Sequence, residues 1–240
     1  MPLELLRDVL EAMEHATTAD ELLKHMKLFV QQAGYETFAY ALTINAPSLK
    51  PQQYLLCDYP KEWVQRYVSK GYFKVDPLIR HCETSTLPTH WEAHMTAPGK
   101  AAEFWEEARF FGLRSGLTFA VHEQPGVTGI FSIARDEPLE VNSDRLAALV
   151  GRAQMFASVL HHAISRIDLP RLLPEMNIAL TPREKECLKW AADGKTAWEI
   201  GQILSIAERT AIFHLNKVIQ KLAASNKTQA IVRAVALKLI

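Results

Sequence analysis

The stretch DYPKEWVQRYVSKGYFKVDPLIRHCETSTLPTHW, residues 58 to 91, gathers the side chains best suited to holding a small molecule. Tyr59, Trp63, Tyr67, Tyr72, Phe73 and Trp91 fall within it, and the Asp76 carboxylate is set among them. Aromatic walls with a few polar anchors make a pocket for an amphiphilic ligand. Taken singly, the same residues also have a plainer reading. Trp63 and Tyr67 stand four apart on a helix and suit a core, and Asp76 ahead of Pro77 is a good helix N-cap.

A second kind of chemistry is written near the C-terminus, where three Ser/Thr-x-x-Glu pairs follow one another: Thr181 with Glu184, Thr196 with Glu199, and Ser205 with Glu208. Each pair predicts a capping box, the hydroxyl accepting from a first-turn amide while the glutamate reaches back; Pro182 suits the first helical position. Helix starts at Thr196 and Ser205 leave room for only a short helix and a tight turn, the spacing of a helix-turn-helix that places its second helix in the DNA major groove. Thr196 to Leu204 is then the supporting helix and Ala207 to Leu222 the reading helix. Ala211, Leu215, Val218 and Leu222 pack inward at helical spacing. Arg209, Thr210, Phe213, Asn216, Lys217, Gln220 and Lys221 form the outer face, which Lys195 and Thr196 join from the start of the supporting helix. A basic face with an apolar stripe opposite also suits a solvated helix in any small bundle.

Charge sharpens the division. The 240-residue chain has no formal net charge, yet residues 176 to 240 hold ten Lys and Arg against five Asp and Glu, leaving 17 against 22 for the rest. After Glu208 there are six bases and no acid, the balance expected of a phosphate-facing segment. The chain shows no apolar run of membrane-spanning length and no secretory pattern at its N-terminus, so a cytoplasmic protein is expected. Cys57, Cys82 and Cys187 are odd in number and far apart, which argues against both a disulfide framework and a zinc knuckle.

Between these features runs a mixed α+β pattern. Helices are predicted over Leu3 to His15, Asp20 to Gln32 (opened by Thr18 with Glu21), Pro60 to Lys70, Pro77 to Glu83, Lys100 to Phe110 and Ser143 to Ser165. Strands are predicted over Thr37 to Ile44, Gly116 to His122 and Val127 to Ala134, the last two parted by Gln124-Pro125-Gly126. The simplest assembly is an N-terminal α-β-α sandwich with an antiparallel sheet, followed by four short C-terminal helices, the last near Thr228 to Leu239. Pro170 and Pro174 break the helical pattern, so residues 166 to 175 read as a linker between domains at 1–165 and 176–240.

Residues 180 to 240 resemble the DNA-binding domain of LuxR-type transcription regulators, with Glu184, Leu188 and Gly194 at positions that family keeps; Ile212 departs from a position where many relatives carry a polar residue. The N-terminal part is similar to the autoinducer-binding domain of the same family, with Trp63, Tyr67, Asp76, Pro77, Trp91 and Gly116 in matching places. The resemblance implies an N-acyl-homoserine lactone ligand, double-stranded DNA as partner, a homodimer, control of quorum-sensing genes, and no cofactor. By position it implies that Trp63 donates to the lactone carbonyl, Asp76 accepts from the amide N–H, Tyr59 and Ser132 donate to the acyl carbonyl, and Trp91 packs over the lactone ring. Phe104, Ala108 and Leu113 would border the acyl tail. Leu78 stands where many relatives place a small hydroxyl residue. A regulator of this family answering another small molecule, or none, is the alternative.

Other classes find little support. Gly194-Lys195-Thr196 lacks the earlier glycine and the strand of a phosphate loop. G-x-S-x-G, H-E-x-x-H and dinucleotide fingerprints are absent, so an enzyme is not expected. A phosphorylated receiver would need alternating parallel strands and helices.

Overall fold

The computed structural model describes residues 3–45, 52–92, 99–124, 126–138, 143–172 and 178–240. It divides into two compact units. One comprises Met1–Thr43, Gln53–Glu123 and Thr128–Asp168, and the other is built on Leu169–Ile240.

In the first unit, helices α1 (Leu3–His15) and α2 (Ala19–Gln32) precede strands β1 (Thr37–Ile44) and β2 (Gln52–Cys57). Then come α3 (Lys61–Ser69), a 3-10 turn at Tyr72–Lys74, α4 (Pro77–Thr84), β3 (Thr89–Glu92), α5 (Lys100–Phe110), β4 (Ser115–Gln124), β5 (Val127–Arg135) and the long α6 (Ser143–Ile167). The five strands form one antiparallel sheet in the order β2-β1-β5-β4-β3. The α-β-α sandwich expected from the sequence is what forms. Thr18 and Glu21 make the expected capping box on α2.

Strand alternation gives the sheet two different faces. From β1, Phe38, Tyr40, Leu42 and Ile44 are buried, and the α2 and α6 side of the sheet is filled by large rings. Phe29 stacks on Phe156 with centroids 4.0 Å apart, and Phe156 lies 5.3 Å from Phe131 of β5. Gly129 lies on this side too: a Cβ there would fall 2.2 Å from Nδ1 of His161 and 2.8 Å from the Tyr40 hydroxyl, which are hydrogen-bonded to each other at 2.7 Å. The alternate residues Ala39, Ala41 and Thr43 of β1 and Ile130 and Ser132 of β5 instead line a cavity.

Strands β2 and β3 were not foreseen. Gln52–Cys57 carries no clean apolar alternation, and its exposure is mixed along its length, as suits an edge strand. Thr89–Glu92 is only four residues, held as a strand by pairing with β4, Trp91 opposite Gly116. The expected linker is in part helical. Helix α6 runs to Ile167, and Pro170 lies inside a short helix α7 (Leu169–Leu172). Pro174 falls outside the described residues, as does Pro125 of the expected β4–β5 turn.

After α7, the second unit continues, among the described residues, as α8 (Pro182–Ala192), α9 (Ala197–Leu204), α10 (Glu208–Lys221) and α11 (Lys227–Ala236). Their core comprises Cys187, Leu188, Ile200, Ala211, Leu215, Val218, Leu222, Ala230 and Ala234, including the whole stripe expected on the reading helix. Thr181 with Glu184 and Thr196 with Glu199 form their capping boxes. The third does not form. Ser205 is the C-cap of α9, in left-handed conformation at φ 54°, ψ 46°, while Ala207 precedes α10 with no side-chain cap. A Ser-x-x-Glu pattern signals a helix start only if the serine backbone is extended, and here the turn between α9 and α10 is too tight to allow that. Gly201 makes the tight turn possible, since a Cβ there would lie 2.8 Å from the Ile206 carbonyl oxygen. Asn226 caps α11 by accepting from the Gln229 amide at 2.8 Å.

Because Ser205 bears the cost of a left-handed residue, roughly 1 kcal/mol or more for an L side chain, Ser205→Gly should stabilise the second unit by about 1 kcal/mol. Amide exchange of α9 and α10 in the full chain measures this. Slower exchange is expected, whereas an N-capping serine would lose protection on the same change.

Candidate functional site

The cavity of about 340 Å³ lies within the first unit, between the small-residue face of the sheet and helices α3, α4 and α5. Its walls are mainly aromatic and aliphatic. Trp63 of α3 is central to them: its ring centroid lies 5.8 Å from Tyr67, 5.9 Å from Phe104 and 5.6 Å from Phe111. Helical spacing presents Trp63 and Tyr67 on one side of α3, and Phe104 and Ala108 do the same on α5. Trp63, Trp91, Phe104 and Leu113 belong to one buried cluster with Tyr72 and also line the cavity, so core and pocket wall are the same residues here.

Asp76 is the charged group in this lining, only 8% exposed. One oxygen, Oδ1, accepts from the Leu78 amide at 2.8 Å, the N-cap geometry expected ahead of Pro77. Oδ2 accepts from the Tyr67 hydroxyl at 2.9 Å. Burial pushes the carboxyl up to about 6, against the opposing pull of the Leu78 amide and the Tyr67 hydroxyl. Loss of hydration costs the carboxylate more than its hydrogen-bond donors return. Burial likewise raises Tyr67, with the Asp76 charge adding to it, and Tyr59 is raised mainly by burial. Both phenols are fixed as neutral donors.

The sheet contributes a chain of polar groups, of which Trp91 and Ser132 line the cavity. Trp91 Nε1 donates to Thr118 Oγ1 at 3.0 Å, and Thr118 Oγ1 lies 2.9 Å from Ser132 Oγ. Gly116 makes room for the Trp91 ring, because a Cβ there would be 2.3 Å from Trp91 Cζ2. Among the described residues, neither the Trp63 indole N–H nor the Tyr59 hydroxyl has a hydrogen-bond partner, and both residues line the cavity. Tyr59, Trp63, Tyr67, Asp76, Trp91, Phe104, Leu113 and Ser132 are thus all brought to one cavity, with Leu78 and Ala108 beside them. Thr118 and Tyr54 were missed. Thr118 belongs to a foreseen strand but gave no signal apart from its neighbours. Tyr54, on the unforeseen β2, lines the cavity and donates to Asp168 Oδ2 at 2.9 Å.

In the second unit, Arg209, Thr210, Phe213, Asn216 and Lys217 are exposed on α10. The Lys217 ammonium sits 5.7 Å from the Phe213 ring centroid. Ile212 shares this exposure. Thr196 is exposed at the start of α9, and Lys195 lies 3.8 Å from Glu199. Lys221 differs from the rest of the expected face: its Nζ donates to Glu184 Oε2 at 2.6 Å and to the Ala179 carbonyl at 3.2 Å. Burial works to raise the Glu184 carboxyl, but the Lys221 and Thr181 hydrogen bonds outweigh it and hold it below the ordinary value. Among the described residues no group of His, Cys, Asp and Glu is placed to hold a metal ion, and no helix is long and apolar enough to cross a membrane.

Comparison with known proteins accounts for both units. Residues 18–164 match the family described as autoinducer binding domain, and residues 179–234 match bacterial regulatory proteins, luxR family. The transcriptional activator protein SolR of Ralstonia nicotianae is 36% identical over 98% of each chain. The crystal structure of Escherichia coli SdiA superposes with a TM-score of 0.82 at 31% identity, covering 99% of this chain and 98% of that one. A structure of SdiA in complex with octanoyl-rac-glycerol gives 0.80 at 28% identity, covering 98% and 94%. With its aromatic cavity in one unit and its helix-turn-helix in the other, the chain belongs to the LuxR family of ligand-responsive, DNA-binding transcription regulators of quorum sensing.

Proposed function

We propose that the ligand is an N-acyl-homoserine lactone and that the protein acts in the cytoplasm as a homodimer. The observation that carries the ligand reading is the under-solvated carboxylate of Asp76, facing an aromatic cavity that also offers donors at Trp63, Tyr59 and Ser132. An acylated lactone has one amide N–H for Asp76, one lactone carbonyl for Trp63 and one acyl carbonyl for Tyr59 and Ser132. The tail suits the apolar wall of Phe104, Ala108 and Leu113, and the ring suits Trp91, whose own N–H is committed to Thr118. Leu78 would set the fit near the amide. In the second unit, Arg209, Thr210, Phe213, Asn216 and Lys217 are the groups for DNA, with Lys195 and Thr196 for the backbone. Lys221 reaches a phosphate only by releasing Glu184. Two such units on a dimer would take half-sites about 34 Å apart.

The second reading is a neutral acylglycerol, favoured by the SdiA complex with octanoyl-rac-glycerol. Thermal unfolding of the protein with decanoyl-homoserine lactone and with octanoylglycerol separates them. At a hundredfold excess over Kd, binding to the folded form adds about 2.7 kcal/mol, a rise of several degrees for the first unit. A rise with the lactone supports the first reading, one confined to octanoylglycerol supports the second, and no rise with either overturns both. Trp63→Phe should weaken lactone affinity roughly tenfold by losing one buried hydrogen bond.

Acidity supplies a further check on Asp76. Its carboxyl is raised by burial, so the protonated form is favoured: the stability it confers is full below the ordinary value and is lost as pH rises through about 6. A ligand N–H favours the ionised form, so lactone affinity should rise with pH through that range and level off above it. Isothermal titration should find binding about tenfold weaker one unit below the transition than above it. Asp76→Asn should flatten this dependence. At the DNA end, Lys217→Ala should weaken operator binding and lower the slope of log K against log salt by roughly one, as measured by fluorescence anisotropy across a salt series.

A further inference from the structure

The three polar groups on the sheet side of the cavity share few hydrogens, and counting them fixes the direction in which they point. An indole N–H can only donate, so Thr118 Oγ1 must accept from Trp91 Nε1, 3.0 Å away. Thr118 is fully buried, and among the described residues its hydroxyl has one other partner, Ser132 Oγ at 2.9 Å. Were Ser132 the donor in that contact, Thr118 would accept twice and its own hydrogen would be left without an acceptor in a dry interior, which buried polar groups avoid. The Thr118 hydroxyl therefore donates to Ser132. Ser132 Oγ is occupied as an acceptor, and its hydrogen turns to the remaining open side, the cavity that the residue lines.

We propose that Thr118 is a positioning residue that holds Ser132 as a hydrogen-bond donor toward the ligand, so that the pocket selects compounds with a carbonyl acceptor at that wall. The order is Trp91 to Thr118 to Ser132 to ligand, each hydroxyl accepting from one side and donating to the other. Trp91 thereby has two tasks: its ring closes the cavity and its N–H sets the polarity of the chain. Gly116, which admits that ring, is a distant part of the same arrangement. The inference rests on the lactone reading of the pocket, with the acyl carbonyl as the acceptor.

A double-mutant cycle on affinity for decanoyl-homoserine lactone tests it. Thr118→Val keeps the shape but removes the hydroxyl, leaving the Ser132 hydrogen free to rotate away; Ser132→Ala removes the donor itself. Ser132→Ala is expected to weaken binding about tenfold in the wild-type background and about twofold or less beside Thr118→Val, since a donor already misdirected has less to lose. Thr118→Ser, which retains the hydroxyl, should restore the full tenfold effect, a rescue that packing alone would not follow. If Thr118→Val does not fold, Thr118→Cys, a weak donor of similar size, takes its place in the cycle. Equal losses in both backgrounds, with wild-type binding intact, overturn the role of Thr118 and leave the lactone reading standing. A wild-type protein that binds no lactone overturns that reading and the proposal together.

Discussion

An ionisable carboxylate placed among aromatic rings is the constraint from which the ligand pocket follows. Asp76 is anchored by its own backbone: as N-cap of α4 it must sit where the helix begins, and α4 must pack on the sheet. The Tyr67 phenol and the Leu78 amide supply two donors, and the carboxyl is still raised to about 6. A buried acid in that condition gains from any further donor that arrives without water. The surrounding rings of Trp63, Phe104 and Trp91 give the cavity apolar walls while leaving space, so a ligand with an N–H and an apolar tail has more to gain here than a bare ion or a sugar.

The second unit uses a carboxylate in the opposite sense. Glu184 is also buried, yet it receives the Thr181 amide and the Lys221 ammonium and is held below its ordinary value. Its donors come from within the fold, and it ties the start of α8 to the end of α10 in a core too small to rely on apolar area alone. The Lys221 ammonium is thereby engaged within the fold, although the residue stays exposed. Lys217 and Arg209, about one and three turns nearer the helix start, carry the exposed charge.

Much of this was legible in the chain because its signals are local. Capping boxes at Thr18, Thr181 and Thr196 and the helical stripe on α10 involve residues at most a few turns apart, and each formed as read. Thr118 was not legible as part of the site: nothing in a lone threonine reveals a hydrogen-bonded tryptophan 27 positions earlier. Strand β2 was hidden because an edge strand need not alternate, and β3 because four residues become a strand only through their neighbour. Ser205 misled for a physical reason as well. The pattern Ser-x-x-Glu is neutral about backbone conformation, and the demand of the turn for a left-handed residue outweighed the preference of the serine for an extended one.

The alternation along β1 has an evolutionary corollary. Ala39, Ala41 and Thr43 face the hollow side of the sheet while Phe38, Tyr40, Leu42 and Ile44 are buried against the opposite layer or close to it. Enlarging an alanine would therefore shorten the chamber with little disturbance to the ring stack behind it. Cavity size and core packing thus fall largely on alternate positions of the same eight residues, Leu42 alone of the even ones also lining the cavity, so a lineage can drift toward shorter or longer signals one methyl group at a time.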